Sequence, residues 1–175
     1  MREIVASIEG EYRRYKKLAD EAIAQVSDEE LSQQIAAGNS IVTIIWHISG
    51  NLASRFTDFL TSDGEKPWRD RDDEFARRTV PREALREKWE RGWGVVLESL
   101  RALDDSKLAS SVSIRGVSLS VTEALHRSLA HTSYHVGQIV FLARTLKGEG
   151  WRYLTIPPGG SPAYNANPIH EKPKG

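Results

Sequence analysis

The stretch SVTEALHRSLAHTSYHVGQIVFLARTLKG, residues 120–148, decides the fold that this sequence predicts. Apolar side chains recur along it at three- and four-residue intervals, the spacing that places them on one face of an α-helix. Ser120 and Glu123 form a capping box at its start, and Lys147 followed by Gly148 is typical of a helix end. The pattern therefore predicts one long amphipathic helix over residues 121–146.

Three earlier segments show the same helical spacing. We expect a first helix over about residues 2–26, a second from after Ser40 to about Leu60, and a third that begins near Thr79 and Pro81. Ahead of the last helix, apolar residues alternate on both sides of Arg115-Gly116, which predicts a small β-hairpin. The sequence thus predicts an all-α fold: a four-helix bundle with a small hairpin before the last helix.

The domain organisation follows from the chain length. A chain of 175 residues can form one domain with a core large enough to fold alone, so we expect a single domain over residues 1–175. Residues 1–147 would form the bundle, and residues 148–175 an irregular tail rich in Pro and Gly. The aromatic and aliphatic residues of this tail indicate that part of it packs against the bundle.

Composition limits the classes of partner. The 24 basic residues balance the 24 acidic ones, so bulk charge favours neither nucleic acid nor an anionic membrane. No apolar run approaches the roughly 18 residues of a membrane span, and the N-terminal segment contains acidic residues that signal peptides lack. We therefore expect a cytoplasmic protein. The sequence contains no cysteine, so any thiol chemistry requires a thiol that arrives as a substrate.

A polar connection, TSDGEKPWRDRDDEF at residues 61–75, separates the second and third helices. Gly64 and Pro67 cannot continue the preceding helix. Connections of this length in compact domains tend to be functional or mobile. Its charge-dense part, residues 65–78, is interpreted most simply as a solvated loop.

Three histidines carry the functional hypothesis. His131 and His135 lie four residues apart on the last helix and therefore on one face, and His47 lies on the second helix. Three imidazoles at one point would form a metal site with an open position, as catalytic sites have. We exclude His126, which points about 140° away from His131, and His170, which lies in the tail. Spacing alone leaves open the alternative that these histidines are ordinary hydrogen-bonded or surface residues.

Polar residues accompany the histidines on both helices. His131, His135 and Gln138 lie beside the apolar stripe of the last helix, and His47, Asn51 and Ser54 are displaced in the same sense on the second. Asn51 and Gln138 would contact the outer nitrogens of metal-binding imidazoles or bind substrate. The alternative is that they are ordinary amides at the edge of the core.

This combination resembles the DinB-like (YfiT-like) superfamily of bacterial four-helix-bundle metalloproteins. The elements that match are WHISGN at residues 46–51, the HxxxHxGQ pattern at residues 131–138, the connection at residues 57–75 and the tail at residues 151–165. The resemblance implies a metal triad of His47, His131 and His135 that binds nickel, zinc or iron. It also implies a homodimer with a helical interface. Several relatives in that superfamily are transferases that use low-molecular-weight thiols such as bacillithiol, mycothiol or glutathione.

The sequence also restricts the reaction. HTSYH has Thr132 where zinc peptidases of the HExxH type have a general-base glutamate, which disfavours that class. We expect instead that a divalent metal activates a thiol or water for attack on a small electrophile, so that the protein is a thiol-dependent S-transferase or a hydrolase. Asn51, Tyr134 and Gln138 are the candidates to orient the substrate. The alternatives are a non-catalytic bundle that binds a small ligand and a stress-related dimeric bundle whose histidines only pack.

Overall fold

The computed structural model describes residues 1–169, and these residues are mostly helical. Within them lie α1 (Glu3–Ile23), α2 (Asp28–Ser32), α3 (Ile41–Phe56), α4 (Arg71–Glu74), α5 (Arg82–Ala102), β1 (Ser111–Ile114), β2 (Val117–Ser120), α6 (Val121–Lys147) and α7 (Ser161–Ala166). The prediction of a mostly helical chain with a hairpin before the last long helix is confirmed. His170 falls outside the described residues.

The four long helices share one hydrophobic core. Helix α3 packs against α5 and α6, and α1 packs against α6 and α5. The ring of Tyr12 from α1 meets Phe56 of α3 and Trp93 of α5 edge to face, with ring centroids 6.1 and 6.2 Å apart. A Cβ atom added at Gly92 of α5 would lie 2.8 Å from the backbone of Ser49, so glycine is what allows α3 and α5 to approach this closely. Close packing fixes the position of α3, which carries His47.

The helix boundaries agree with the sequence where a capping group defines them. Ser120 Oγ accepts a hydrogen bond from the backbone N–H of Glu123, whose carboxylate accepts one from the backbone N–H of Ser120, so the capping box of α6 is confirmed. Helix α3 ends at Phe56 and not near Leu60, because Thr57 is extended, with a ψ of 125°, and Asp58 follows it with a left-handed φ of 49°. Helix α1 ends at Ile23, a few residues earlier than predicted.

The hairpin turns at Arg115 and Gly116, where both residues have positive φ, as a two-residue type I′ turn requires. The carboxylate of Asp63 accepts hydrogen bonds from the backbone N–H groups of Arg115 and Gly116, each 2.8 Å long. The backbone N–H of Gly64 donates to Ser113 O at 2.8 Å. The connection after α3 is therefore fastened to the hairpin.

The charge-dense segment at residues 65–78 is not a uniformly solvated loop, so that interpretation was wrong. Its Lys66 and Glu74 are buried, with 8% and 4% of their surface exposed. Ser54 Oγ donates to Gly64 O at 2.7 Å, and Arg55 donates to Glu65 at 3.1 Å, so α3 holds the start of the segment. This anchoring brings α4 against the middle of α3.

The tail returns to the core, as the sequence predicted for part of it. Trp151 and Leu154 are partly buried against the core. Gln25 at the end of α1 donates to Arg152 O at 3.0 Å and accepts from Arg152 N at 2.8 Å.

Among residues 1–169, none of the helices has both the length and the apolar character that crossing a bilayer requires.

Candidate metal centre

The three histidines selected from the sequence lie close together. His47 projects from α3, and His131 and His135 project from α6, which packs against it. One ligand nitrogen from each ring lies within 4.8 Å of the others, and His47 Nε2 is 3.2 Å from His131 Nε2. Metal–nitrogen bonds of about 2.0–2.1 Å in a tetrahedral site place two ligand nitrogens roughly 3.4 Å apart. The cluster could therefore hold a metal ion.

Two of the imidazoles are held at their outer nitrogens. His47 Nδ1 donates to Glu74 Oε2 at 2.9 Å, because an ionised carboxylate can only accept. His135 Nδ1 lies 2.8 Å from Gln138 Oε1 and donates to it in the same way. Each contact fixes the tautomer with a lone pair on Nε2, the atom that faces the cluster. Metal-binding histidines usually have such partners on the second ring nitrogen.

Glu74 is itself held by a buried arginine. Arg69 Nε and Nη2 donate to the two oxygens of Glu74, each at 2.8 Å, and both side chains are buried. Burial raises the pKa of Glu74, but hydrogen bonds from Arg69 and His47 outweigh it and lower the pKa below its ordinary value. The carboxylate opposite His47 is thus ionised at neutral pH.

Gly50 makes room for this contact. A Cβ atom at residue 50 would lie 2.0 Å from Glu74 Oε1, so any other residue on this turn of α3 would collide with the carboxylate. Because Gly50 lies three residues after His47, its bare backbone is on the same face of the helix. The glycine of WHISGN therefore allows Glu74 to reach His47.

Burial favours the neutral form of two of the three imidazoles. The ring of Phe75 lies 4.6 Å from the ring of His47, which is 4% exposed. Burial, together with the nearby His135, His47 and arginine charges, lowers the pKa of His131 to about 4. Burial also lowers the pKa of His135. Neutral imidazoles are the form that coordinates a metal.

A cavity of about 350 Å³ opens beside the cluster, and His47, His131 and Asn51 line it. Gln138 lies on the other side of the cluster, where it and Tyr134 border a separate depression. The ring of Tyr134 is 5.0 Å from that of His135, and 64% of the residue is exposed. Of the three candidates for orienting a substrate, Asn51 is the one that faces the cavity together with the histidines.

A family model described as "Protein of unknown function (DUF1572)" matches residues 1–160. The chain belongs to the DUF1572 family. The DUF1572 match includes all three histidines, Glu74 and Asn51, but its description states no activity. Comparisons with curated proteins and with solved structures return no match.

Sequence reasoning missed two residues of this DUF1572 site, Arg69 and Glu74. Glu74 lies 27 residues after His47 and on a different helix, so no helical period links the two. The one local signal is Phe75, an aromatic residue within a run of charged ones, which indicates that this part of the run turns inward. His126, which we excluded, is exposed on α6.

Proposed function

We propose that this DUF1572 protein binds a divalent metal through His47, His131 and His135 and is a metal-dependent enzyme, a thiol-dependent S-transferase or a hydrolase. One observation carries the proposal: the three histidines lie together, His47 and His135 are buried with outer partners on their imidazoles, and a cavity reaches His47 and His131. Three protein ligands leave a coordination position for water or substrate, as in catalytic sites.

The donor set suits the metals that we expect. Imidazole nitrogens bind zinc, nickel and iron well, whereas magnesium and calcium prefer oxygen ligands. The buried carboxylate of Glu74 on His47 Nδ1 fixes the orientation of that imidazole, as partners of metal-binding histidines do. We therefore expect nickel, zinc or iron as the native metal.

The proposed reaction assigns a task to each neighbouring side chain. A divalent metal in this position would lower the pKa of a coordinated thiol or water toward neutrality. Glu74 and Gln138 keep His47 and His135 in position, and Phe75 keeps water from the ring of His47. Asn51 would orient the substrate in the cavity. Sulfur or oxygen forms a bond to the electrophile, whose leaving group departs with its bonding electrons, and the proton passes to solvent.

We further propose that the four long helices form the bundle of the DinB-like superfamily and that residues 1–175 are one domain. The order of the helices, the hairpin before α6 and the positions of the histidines on α3 and α6 support this assignment. A shared fold does not define a reaction, so the assignment supports the metal site more than the chemistry.

The enzyme hypothesis is tested with metal-loaded and chelator-treated protein. Elemental analysis should find about one nickel, zinc or iron ion per chain. A panel of bacillithiol, mycothiol, glutathione and water against small electrophiles should show turnover by the metal-loaded protein alone. A protein that binds no metal and keeps its stability after chelation would support the non-catalytic bundle instead.

A homodimer is the assembly that we propose. Tyr134 and Phe141 lie seven residues apart, and therefore on one face of α6, and they are 64% and 68% exposed. An exposed aromatic face of this kind suits a two-fold interface in which each copy of α6 covers the other.

We expect Phe141→Glu to convert a dimer into a monomer, because two carboxylates would be buried at the two-fold axis. Light scattering at micromolar concentration measures the change. Trp68→Glu, at a residue 58% exposed in the connection after α3, is the matched control and should remain dimeric. A monomeric wild-type protein would contradict the proposal.

A further inference from the structure

Five arginines surround the cavity beside the histidines. They come from α3, the connection after it, α4, the hairpin turn and α6, and are Arg55, Arg69, Arg71, Arg115 and Arg127. Among the described residues that line this cavity there is neither Asp nor Glu. Three carboxylates lie within ion-pair distance of these five arginines, so positive charge remains in excess: Glu65 near Arg55, Arg69 and Arg115, Glu74 with Arg69, and the exposed Asp72 near Arg71.

Arg69 has a buried donor that the protein leaves unused. Its Nη1 atom is buried and, within residues 1–169, has no hydrogen-bond partner, although the side chain is only 2% exposed. The carboxylate of Glu65 is 3.9 Å away, too far for a hydrogen bond. A buried N–H of a charged group is costly to leave unpaired. Because Arg69 lines the cavity, the charge of this guanidinium would attract an anion bound there.

The electrostatics of Arg55 point in the same direction. Burial lowers the pKa of this guanidinium, Glu65 raises it, and the charges of Arg69 and Arg115 lower it again, with a net lowering. A pKa below the ordinary value of a cation means that the surroundings disfavour its charge. An anion in the cavity would offset the positive charges of Arg69 and Arg115 that act on Arg55.

Part of the cavity wall is apolar. Its apolar residues are Phe56 at the end of α3, Phe59 just after it, Ile114 and Val117 of the hairpin, and Ala124 of α6. A volume of about 350 Å³ is within the range of roughly 300–1,000 Å³ that small-molecule sites occupy. The cavity therefore suits a molecule that has an apolar portion as well as a charge.

We propose that the cavity binds a small organic anion, a carboxylate or phosphate joined to an apolar portion. The anionic group lies among Arg69, Arg71 and Arg127, and the apolar portion lies against Phe59 and the hairpin. Guanidinium groups bind both kinds of anion through paired N–H donors. Such an anion would be the substrate of the proposed metal-dependent reaction. This assignment rests on the proposed function only for the role of the histidines.

A matched series of probes tests the two parts of the ligand. Isothermal titration measures hexanoate, hexyl phosphate, acetate and hexan-1-ol against metal-loaded and chelator-treated protein. We expect one of the two six-carbon anions to bind at least about tenfold more tightly than hexan-1-ol, because it gains charge-assisted hydrogen bonds, and than acetate, which lacks the apolar portion. The tighter of the two identifies the anionic group. Equal binding of both anions and hexan-1-ol would overturn the proposal.

Arginine variants then locate the site. Arg127 is exposed on α6, one turn before His131, so Arg127→Gln should leave the fold intact and weaken binding of the preferred anion about tenfold. Arg71→Gln, at a second exposed position, provides an independent variant. Arg144→Gln, near the other end of α6 beside Tyr153, is the control and should bind like the wild type. Equal affinities for all three variants would overturn the assignment.

The chelator-treated protein separates this inference from the proposed function. Anion binding that persists without metal supports the arginine site even if no metal-dependent reaction is found. Anion binding that requires the metal and is insensitive to Arg127→Gln and Arg71→Gln would assign the anion to the metal and overturn the arginine site.

Discussion

We expect His131→Ala to reduce metal affinity at least about 100-fold while the fold persists, because it removes one of three nitrogen donors. Changes to the outer partners of metal ligands cost roughly 10- to 100-fold in affinity, and loss of a ligand should cost no less. His131 is only partly buried and lies beside the apolar stripe of α6, so the core keeps its packing. Competition with a chromogenic chelator gives the affinity, and circular dichroism reports the helical content.

His126→Ala is the matched control for this prediction. It removes the same side chain from the same helix at an exposed position, so metal content should not change. If His126→Ala and His131→Ala retain metal equally, the metal does not bind at the histidine cluster. The thiol-transfer hypothesis would then lose its physical support.

The sequence predicted the elements of the fold because each has a strong local signal. The helical spacing of apolar residues located α1, α3, α5 and α6, and the capping box at Ser120 located the start of α6. Arg115-Gly116 located the hairpin turn. The end of α3 was misplaced, because neither a glycine nor a proline marks the extended Thr57 and the left-handed Asp58.

The histidine cluster was predictable for a related reason. An i, i+4 pair on a long helix projects two imidazoles from the same face, and only one other predicted helix carried a histidine in a matching position. The structure brings His47 to that pair because α3 packs against α6. Helical geometry on two elements was therefore enough to find three residues that are distant in sequence.

Arg69, Arg71 and Glu74 could not be found in this way. They lie in a connection whose course is set by contacts such as Asp63 with the hairpin turn and Ser54 with Gly64 O. Such contacts between distant residues have no period in the sequence. A run of charged residues is usually solvated, so composition favoured the wrong interpretation here.

Glu74→Gln should weaken metal binding by roughly 10- to 100-fold and lower the free energy of unfolding by about 3 kcal/mol. The variant keeps the shape of the side chain but removes the charge that faces His47 Nδ1 and Arg69. The side chain of Arg69 is 2% exposed, so its charge would remain buried with only Glu65, 3.9 Å away, as a counter-ion, and loss of one partner from a buried pair is strongly destabilising. Urea unfolding measures the stability, and chelator competition without denaturant measures the affinity.

Asp72→Asn removes the same charge two residues earlier in α4, where the side chain is fully exposed, and should change neither quantity. The two measurements separate positioning of His47 from support of the fold. A variant that is less stable but binds metal as the wild type does would show that Glu74 only neutralises Arg69. A loss of affinity in folded Glu74→Gln, absent from Asp72→Asn, would show that the carboxylate acts on the metal through His47.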